Sequence, residues 1–279
     1  MRHFPCAWLC CWIAAHLRGV VAVPSGYVLQ PSDAANSTAA TIHAITIPHA
    51  GGKTPSNVPA ANGYLAIASN AAASFRVFGP LGGSPCGQRV KTHITASGRK
   101  CRYATNAGPF NMSNGNCDAG VFIMDGVVQG SGGFAAPMFG VTANGDWVAG
   151  YINASVAASL GVTWAVSGFE VLIKNGANVA DSTTYRAPRT TIATNAKGEL
   201  LLLEVDGCEP QKGCAYELGK TDHDMAELLL QHGAVNAINL DGGGSSTVVQ
   251  GGRVINLPTD GDMWPQEGER AVTTITCIL

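Results

Sequence analysis

Many short β-rich runs, Asn-Gly and Asp-Gly turns between them, and a single well-capped helix predict an α+β fold for this chain. The expected core is a strand-rich mixed or mostly antiparallel sheet with few helices. The chain has 279 residues, 46% hydrophobic and 13% charged, so it can bury a full core as one large domain or two small ones. A net charge of -2 and the lack of any Lys/Arg cluster argue against a nucleic-acid partner.

Residues 1–22 combine early Arg2 and His3, an apolar run from Phe4 to Ala15 and small residues near Ala22, which reads as a signal peptide. The run is too short to cross a bilayer and no other segment qualifies, so the mature chain is expected to have no membrane span and to be secreted or lumenal in the secretory pathway. Residues 23–40 are small, polar and Pro/Ser-rich and read as a flexible leader, with one domain over 41–279. Cys6, Cys10 and Cys11 fall in the signal, leaving Cys86, Cys101, Cys117, Cys208, Cys214 and Cys277. An even number in a secretory compartment suits three disulfides; a zinc site is the rival, but paired C-x-x-C units are lacking, so no metal and no cofactor are expected. Cys208 and Cys214 bracket the short loop "CEPQKGC" and read as a local pair. Sequons stand at Asn36, Asn111 and Asn153, close to the number chance would give.

Strand runs are expected at Thr41–Ile47, Tyr64–Ser69, Phe75–Phe78, Gly120–Met124, Met138–Thr142, Asp146–Tyr151, Val171–Lys174, Thr190–Thr194, Leu200–Val205, Val235–Leu240, Ser246–Gln250 and Ala271–Ile278. "MDGVV", "ANGDW", "KNGAN" and "NAKGE" punctuate these runs and carry the hairpin signal. The better helix covers Asp222–His232, with Thr221 as N-cap, Asp224 as its capping-box partner and Gly233 as the stop. A weaker one lies around Gln88–Ser97, where Thr92, Ile94 and Thr95 are poor helix formers.

Four segments place glycine and polar groups at strand ends. "AINLDGGGSSTVV", Ala237 to Val249, follows an apolar strand with Asp241, Gly242, Gly243, Gly244 and Ser245. Three glycines exceed the needs of a turn and suit either a tight bend or a backbone that approaches an anion. "NAGPFNMSNGNC", from Asn106 to Cys117, is an irregular loop that a disulfide can fix. In "APRTTIAT", Arg189 enters an otherwise apolar, Thr-rich strand and must find an anion. In "LLLLEVDG", Asp206 ends the most hydrophobic strand, and in isolation a plain Asp-Gly turn is the favoured reading. An arginine fork, a glycine nest and one or two carboxylates suit a phosphorylated substrate; there is no G-x-S-x-G elbow and no Walker or dinucleotide pattern.

From Cys101 onward the chain resembles the phosphodiester glycosidase family. The resemblance rests on the frame Asn106, Gly108, Phe110, Met112, Gly115 and Cys117; on "SGFEVLIKNG" at Ser167–Gly176; on Pro188–Gly207; and on Met225–Thr247, with Arg270 in the closing strand also matching. It implies a single catalytic domain over 41–279 that removes N-acetylglucosamine from a sugar phosphodiester, which a glycoprotein glycan can carry. It assigns Arg189 to the phosphate, supported by Thr190, and Asp241 to the anomeric carbon, with Gly242, Gly243, Gly244 and Ser245 as oxyanion cradle and Asn106 as a substrate or loop-fixing amide. The competing assignment makes Asp206 the catalytic carboxylate and Asp241 structural. The resemblance further implies disulfides Cys86–Cys117 and Cys101–Cys277. A secreted carbohydrate-binding module and a P–O-cleaving phosphodiesterase are the rival functions.

Overall fold

The computed structural model describes residues 26–33, 40–48, 61–82, 84–117, 120–132, 136–181, 184–207, 219–259 and 268–279. The expected signal peptide, the Cys208–Cys214 pair and the Asn36 sequon lie outside these residues. Three larger sheets share one core, and every strand pairing within them is antiparallel.

The seven-stranded sheet runs, edge to edge, through Ala177–Asn178, Glu170–Lys174, Ala234–Asn239, Arg189–Asn195, Leu200–Val205, Ala61–Ser69 and Thr41–Pro48. Its Leu200–Val205 strand reads as a continuous apolar run because both of its faces are covered. Leu200 and Leu202 enter the core shared by the three sheets, while Leu201, Leu203 and Val205 meet Met225 and Leu229 of a helix behind the sheet. The six-stranded sheet has the order Gly26–Gln30, Trp147–Tyr151, Pro137–Thr142, Val162–Ser167, Val121–Met124 and Val127–Ser131. The five-stranded sheet runs Arg253–Val254, Val248–Gln250, Tyr103–Asn106, Ile275–Ile278 and Phe75–Phe78. Phe75, Phe139 and Trp147 meet in the shared core with ring centroids 5.6 to 6.2 Å apart.

A short helix covers the outer face of each sheet: α1 (Thr92–Gly98), α2 (Ala154–Ser159) and α3 (Asp222–Gln231). The capping box of α3 forms as its sequence requires, with Thr221 Oγ1 accepting from Asp224 N at 3.1 Å and the Asp224 carboxylate accepting from Thr221 N at 3.3 Å. The α2 helix, absent from the sequence expectations, is capped by Asn153, whose Oδ1 accepts from Val156 N at 2.9 Å. Asp125-Gly126 and Asn175-Gly176 make the expected two-residue hairpin turns, both residues of each at positive φ (54° and 76°, 51° and 78°).

One expectation is corrected. The segment assigned as a flexible leader contributes the Gly26–Gln30 strand, paired in register with Trp147–Tyr151. Gln30 anchors it to the neighbouring sheet: its Nε2 donates to Asn195 O at 2.6 Å, and its Oε1 accepts from Thr194 at 2.7 Å and Asn236 at 2.9 Å. Five alternating residues between Pro24 and Pro31 are outweighed by the polar composition around them.

Disulfides join Cys86 to Cys117 and Cys101 to Cys277, across sequence separations of 31 and 176 residues. In the chain-entropy model the longer loop contributes about 5 kcal/mol and the shorter about 3.7 kcal/mol. Cys277→Ser should therefore lower the free energy of unfolding more than Cys117→Ser, as urea titration under non-reducing conditions would measure.

Candidate active site

The site forms where three strand ends converge. Asn106 ends one strand, Arg189 and Thr190 begin another, and Asp241 follows a third. Asn106 is fully buried. Its Nδ2 donates to Asp241 O at 2.7 Å, and its Oδ1 accepts from Thr190 Oγ1 at 2.7 Å and Thr247 N at 3.1 Å. The backbone repeats the connection, with Asp241 N donating to Ala107 O at 2.8 Å and Leu240 N to Thr190 O at 2.8 Å. Of the two roles expected for Asn106, substrate contact or loop fixing, these bonds provide the second, and Thr190 shares in it. Thr190 supports Asn106 rather than Arg189.

Gly242 N donates to the Asp241 carboxylate at 3.0 Å and Gly243 N to Pro188 O at 2.8 Å, so these two N–H groups have acceptors within the protein. The glycines answer a packing demand. A Cβ on Gly242 would stand 2.7 Å from Pro188 O, and Gly243 has φ of +59°. A 3₁₀ turn over Gly243–Ser245 then delivers Ser245 back to Asp241.

Asp241 is half-buried. Burial pushes its carboxyl up to about 6, opposed by a hydrogen bond from Ser245, the charge of Arg270 and the Gly242 N–H. Arg270 Nη1 lies 3.4 Å from Ser245 Oγ, and Arg270 N is 3.4 Å from Gly244 O. The guanidinium that acts on Asp241 is therefore Arg270. Sequence reasoning gave it no role, although a lone arginine before a Thr-rich apolar strand is the same signal that singled out Arg189.

Arg189 is turned elsewhere. Its Nη1 stands 3.2 Å from Asp222 Oδ1, a charge contact outside hydrogen-bond alignment, while Nε donates to Lys220 O at 3.2 Å and Nη2 to Tyr185 O at 3.1 Å. Burial raises Asp222, opposed first by Arg189 and then by a hydrogen bond with Glu170. In this arrangement Arg189 pins the first turn of α3 to the sheet. Asp206 is buried too, its Oδ1 accepting from Asn256 Nδ2 at 3.0 Å and Leu257 N at 2.9 Å. Of the two carboxylates left open by the sequence, Asp241 is the more exposed and is the one beside Arg270 and Ser245.

If Arg189 serves the α3 anchor, Arg189→Ala should cost roughly 2–4 kcal/mol at pH 7 by leaving Asp222 without its counter-charge, and adding Asp222→Asn should recover most of it. Urea denaturation of the single and double variants measures this. Unchanged stability with lost turnover would return Arg189 to the phosphate.

A family model described as phosphodiester glycosidase matches residues 99–279. The human protein named N-acetylglucosamine-1-phosphodiester alpha-N-acetylglucosaminidase is 32% identical over 241 residues, 77% of this chain and 45% of that protein. Its mouse counterpart is 31% identical over 242 residues, again 77% and 45%. The chain thus spans less than half the length of these curated relatives. Among solved structures, the zebrafish catalytic domain of the same name, described as auto-inhibited by its pro-peptide, superposes with a TM-score of 0.73 at 25% identity, covering 90% of this chain and 87% of that one.

Proposed function

Because the chain belongs to the phosphodiester glycosidase family, we propose that it hydrolyses the glycosidic bond of a sugar phosphodiester of the N-acetylglucosamine-1-phospho-sugar class. Water adds to the anomeric carbon, the bond from that carbon to the phosphate oxygen breaks, and the phosphate leaves as a monoester on the second sugar. The observation that carries this reading is the half-buried Asp241 carboxylate beside Ser245 and Arg270.

A phosphate oxygen is already a good leaving group, so the pair of carboxylates that ordinary glycosidases need is dispensable. What remains is an anion to face the developing oxocarbenium ion and a cation to hold the phosphate. Asp241, ionised, takes the first role, and Arg270 takes the second in place of Arg189. Ser245 bridges them, hydrogen-bonding the carboxylate and adjoining the guanidinium. The disulfides and the signal-like N-terminus support a secretory-pathway location, where the substrate can be carried on a glycoprotein glycan.

Incubation with an N-acetylglucosamine phosphodiester in ¹⁸O-labelled water should place the label in the released sugar. Label in phosphate would indicate P–O cleavage instead, and no product would favour a binding module.

The pH dependence follows from Asp241. Its working form is the carboxylate, which forms above about 6, so kcat/KM should fall as pH drops through about 6. Asp241→Asn should remove that limb and lower kcat roughly a thousandfold with little change in KM. Stability runs the other way. A carboxyl raised in the folded state favours folding below its ordinary range near 4 and loses that contribution as pH rises through about 6. Asp241→Asn should therefore melt higher than the native chain at pH 7, and calorimetry at pH 4 and pH 7 tests the sign.

A further inference from the structure

Behind the Asp241 turn, one side chain meets four groups. Asn256 Oδ1 accepts from Val248 N at 2.7 Å, while its Nδ2 lies 2.9 Å from Glu204 Oε1, 3.0 Å from Asp206 Oδ1 and 3.1 Å from Ser246 O. Two amide hydrogens are shared among three acceptors. The Ser246 carbonyl and the Val248 N–H, which bracket the exit from the turn, are therefore both fixed by Asn256. The residue just before them is Ser245, whose hydroxyl reaches Asp241.

Asn256 is itself oriented from behind. Glu204 is fully buried, and Asp206 and Asn256 are nearly so. Burial, and then the adjacent Asp206 charge, push Glu204 well above the ordinary carboxylate range, with Asn256 opposing. Burial and the neighbouring Asp206 together favour the protonated form of Glu204, which lets it act as a donor toward Asp206. Tyr64 and Tyr103 also face the pair and are both raised by burial first, Tyr64 then by Asp206 and Glu204 and Tyr103 then by Glu204 and Tyr64, so both stay neutral.

We propose that Asn256, oriented by the Glu204–Asp206 pair, is a positioning residue for the reaction: it sets the Ser245–Ser246 segment so that the Ser245 hydroxyl reaches Asp241. No substrate contact is required of any of the three. The inference rests on the reading of Asp241 as the ionised working carboxylate.

The test is the pH profile of kcat and KM for Asn256→Ala, Glu204→Ala and Glu204→Gln in the full chain, with an N-acetylglucosamine phosphodiester as substrate. Asn256→Ala and Glu204→Ala should lower kcat about tenfold with KM within about threefold. Their acid limb should move up by about half a pH unit or more, because Asp241 loses a hydrogen bond that favours its charged form. Glu204→Gln should restore both quantities, since a neutral amide still donates to Asp206. If Asn256→Ala fails to fold, Asn256→Ser, which keeps a small polar side chain, is read by the same limb.

An acid limb at its native position in the Asn256 variants would overturn the proposal. Glu204→Gln as impaired as Glu204→Ala would overturn it too, because charge rather than a donated proton would then be needed. So would a melting temperature raised by calcium in the native chain but not in Glu204→Gln, which would put a cation where the proton is placed. Failure of the underlying reading looks different: Asp241→Asn would keep turnover and its acid limb with Asn256 intact.

Discussion

Asn106 holds its amide fully buried, between segments that lie far apart along the chain. It donates to the Asp241 carbonyl and accepts from Thr190 and Thr247, joining the end of one strand, the start of a second and both ends of the turn that carries Asp241. A buried polar group left without a partner costs about 1–3 kcal/mol, so this amide makes the arrangement all-or-none. The position of Asp241, the closeness of the Pro188 carbonyl to Gly242 and the return of Ser245 all depend on it.

The two arginines that enter this region divide the work. Arg189 meets Asp222 and two carbonyls and ties α3 to the sheet, whereas Arg270 arrives from the segment before the last strands and acts on Asp241 through charge. A guanidinium satisfies whatever acceptors the fold brings within reach, so strand position alone does not say which anion it serves. The glycines likewise serve close packing: they let the turn lie against the Arg189 strand, which brings Ser245 and Arg270 together.

Carboxyls are the recurring electrostatic expense of this fold. Asp241, Asp222, Glu170 and Glu204 are all raised by burial first. Asp222 has Arg189, and Glu204 has Asp206 and Asn256 beside it, so both have partners inside the protein. Asp241 is opposed only in part, by a hydroxyl, a guanidinium and an N–H, and it alone of these stands in the convergence of strand ends matched to the family. The unsettled charge coincides with the position proposed to be reactive.

The sequence by itself determined most of the elements. Alternation, turn dipeptides and the Thr221–Asp224 capping box depend on neighbours within a few residues, and the apolar run Leu200–Val205 is a strand because the pattern admits little else. The Asp241 turn was legible for the same reason, as an unusual density of glycine and hydroxyls in one place. Tertiary structure decided what the local pattern could not carry. The Gly26–Gln30 strand exists because Gln30 finds partners more than 160 residues away. The strand Tyr103–Asn106 is short and fully buried, so it shows no alternation. The proposed exchange of roles between Arg189 and Arg270, and the proposal of Asp241 over Asp206, rest on which groups lie within 3–4 Å and how much water is excluded. Those quantities are set by strands packed from opposite ends of the chain, and no window of sequence contains them.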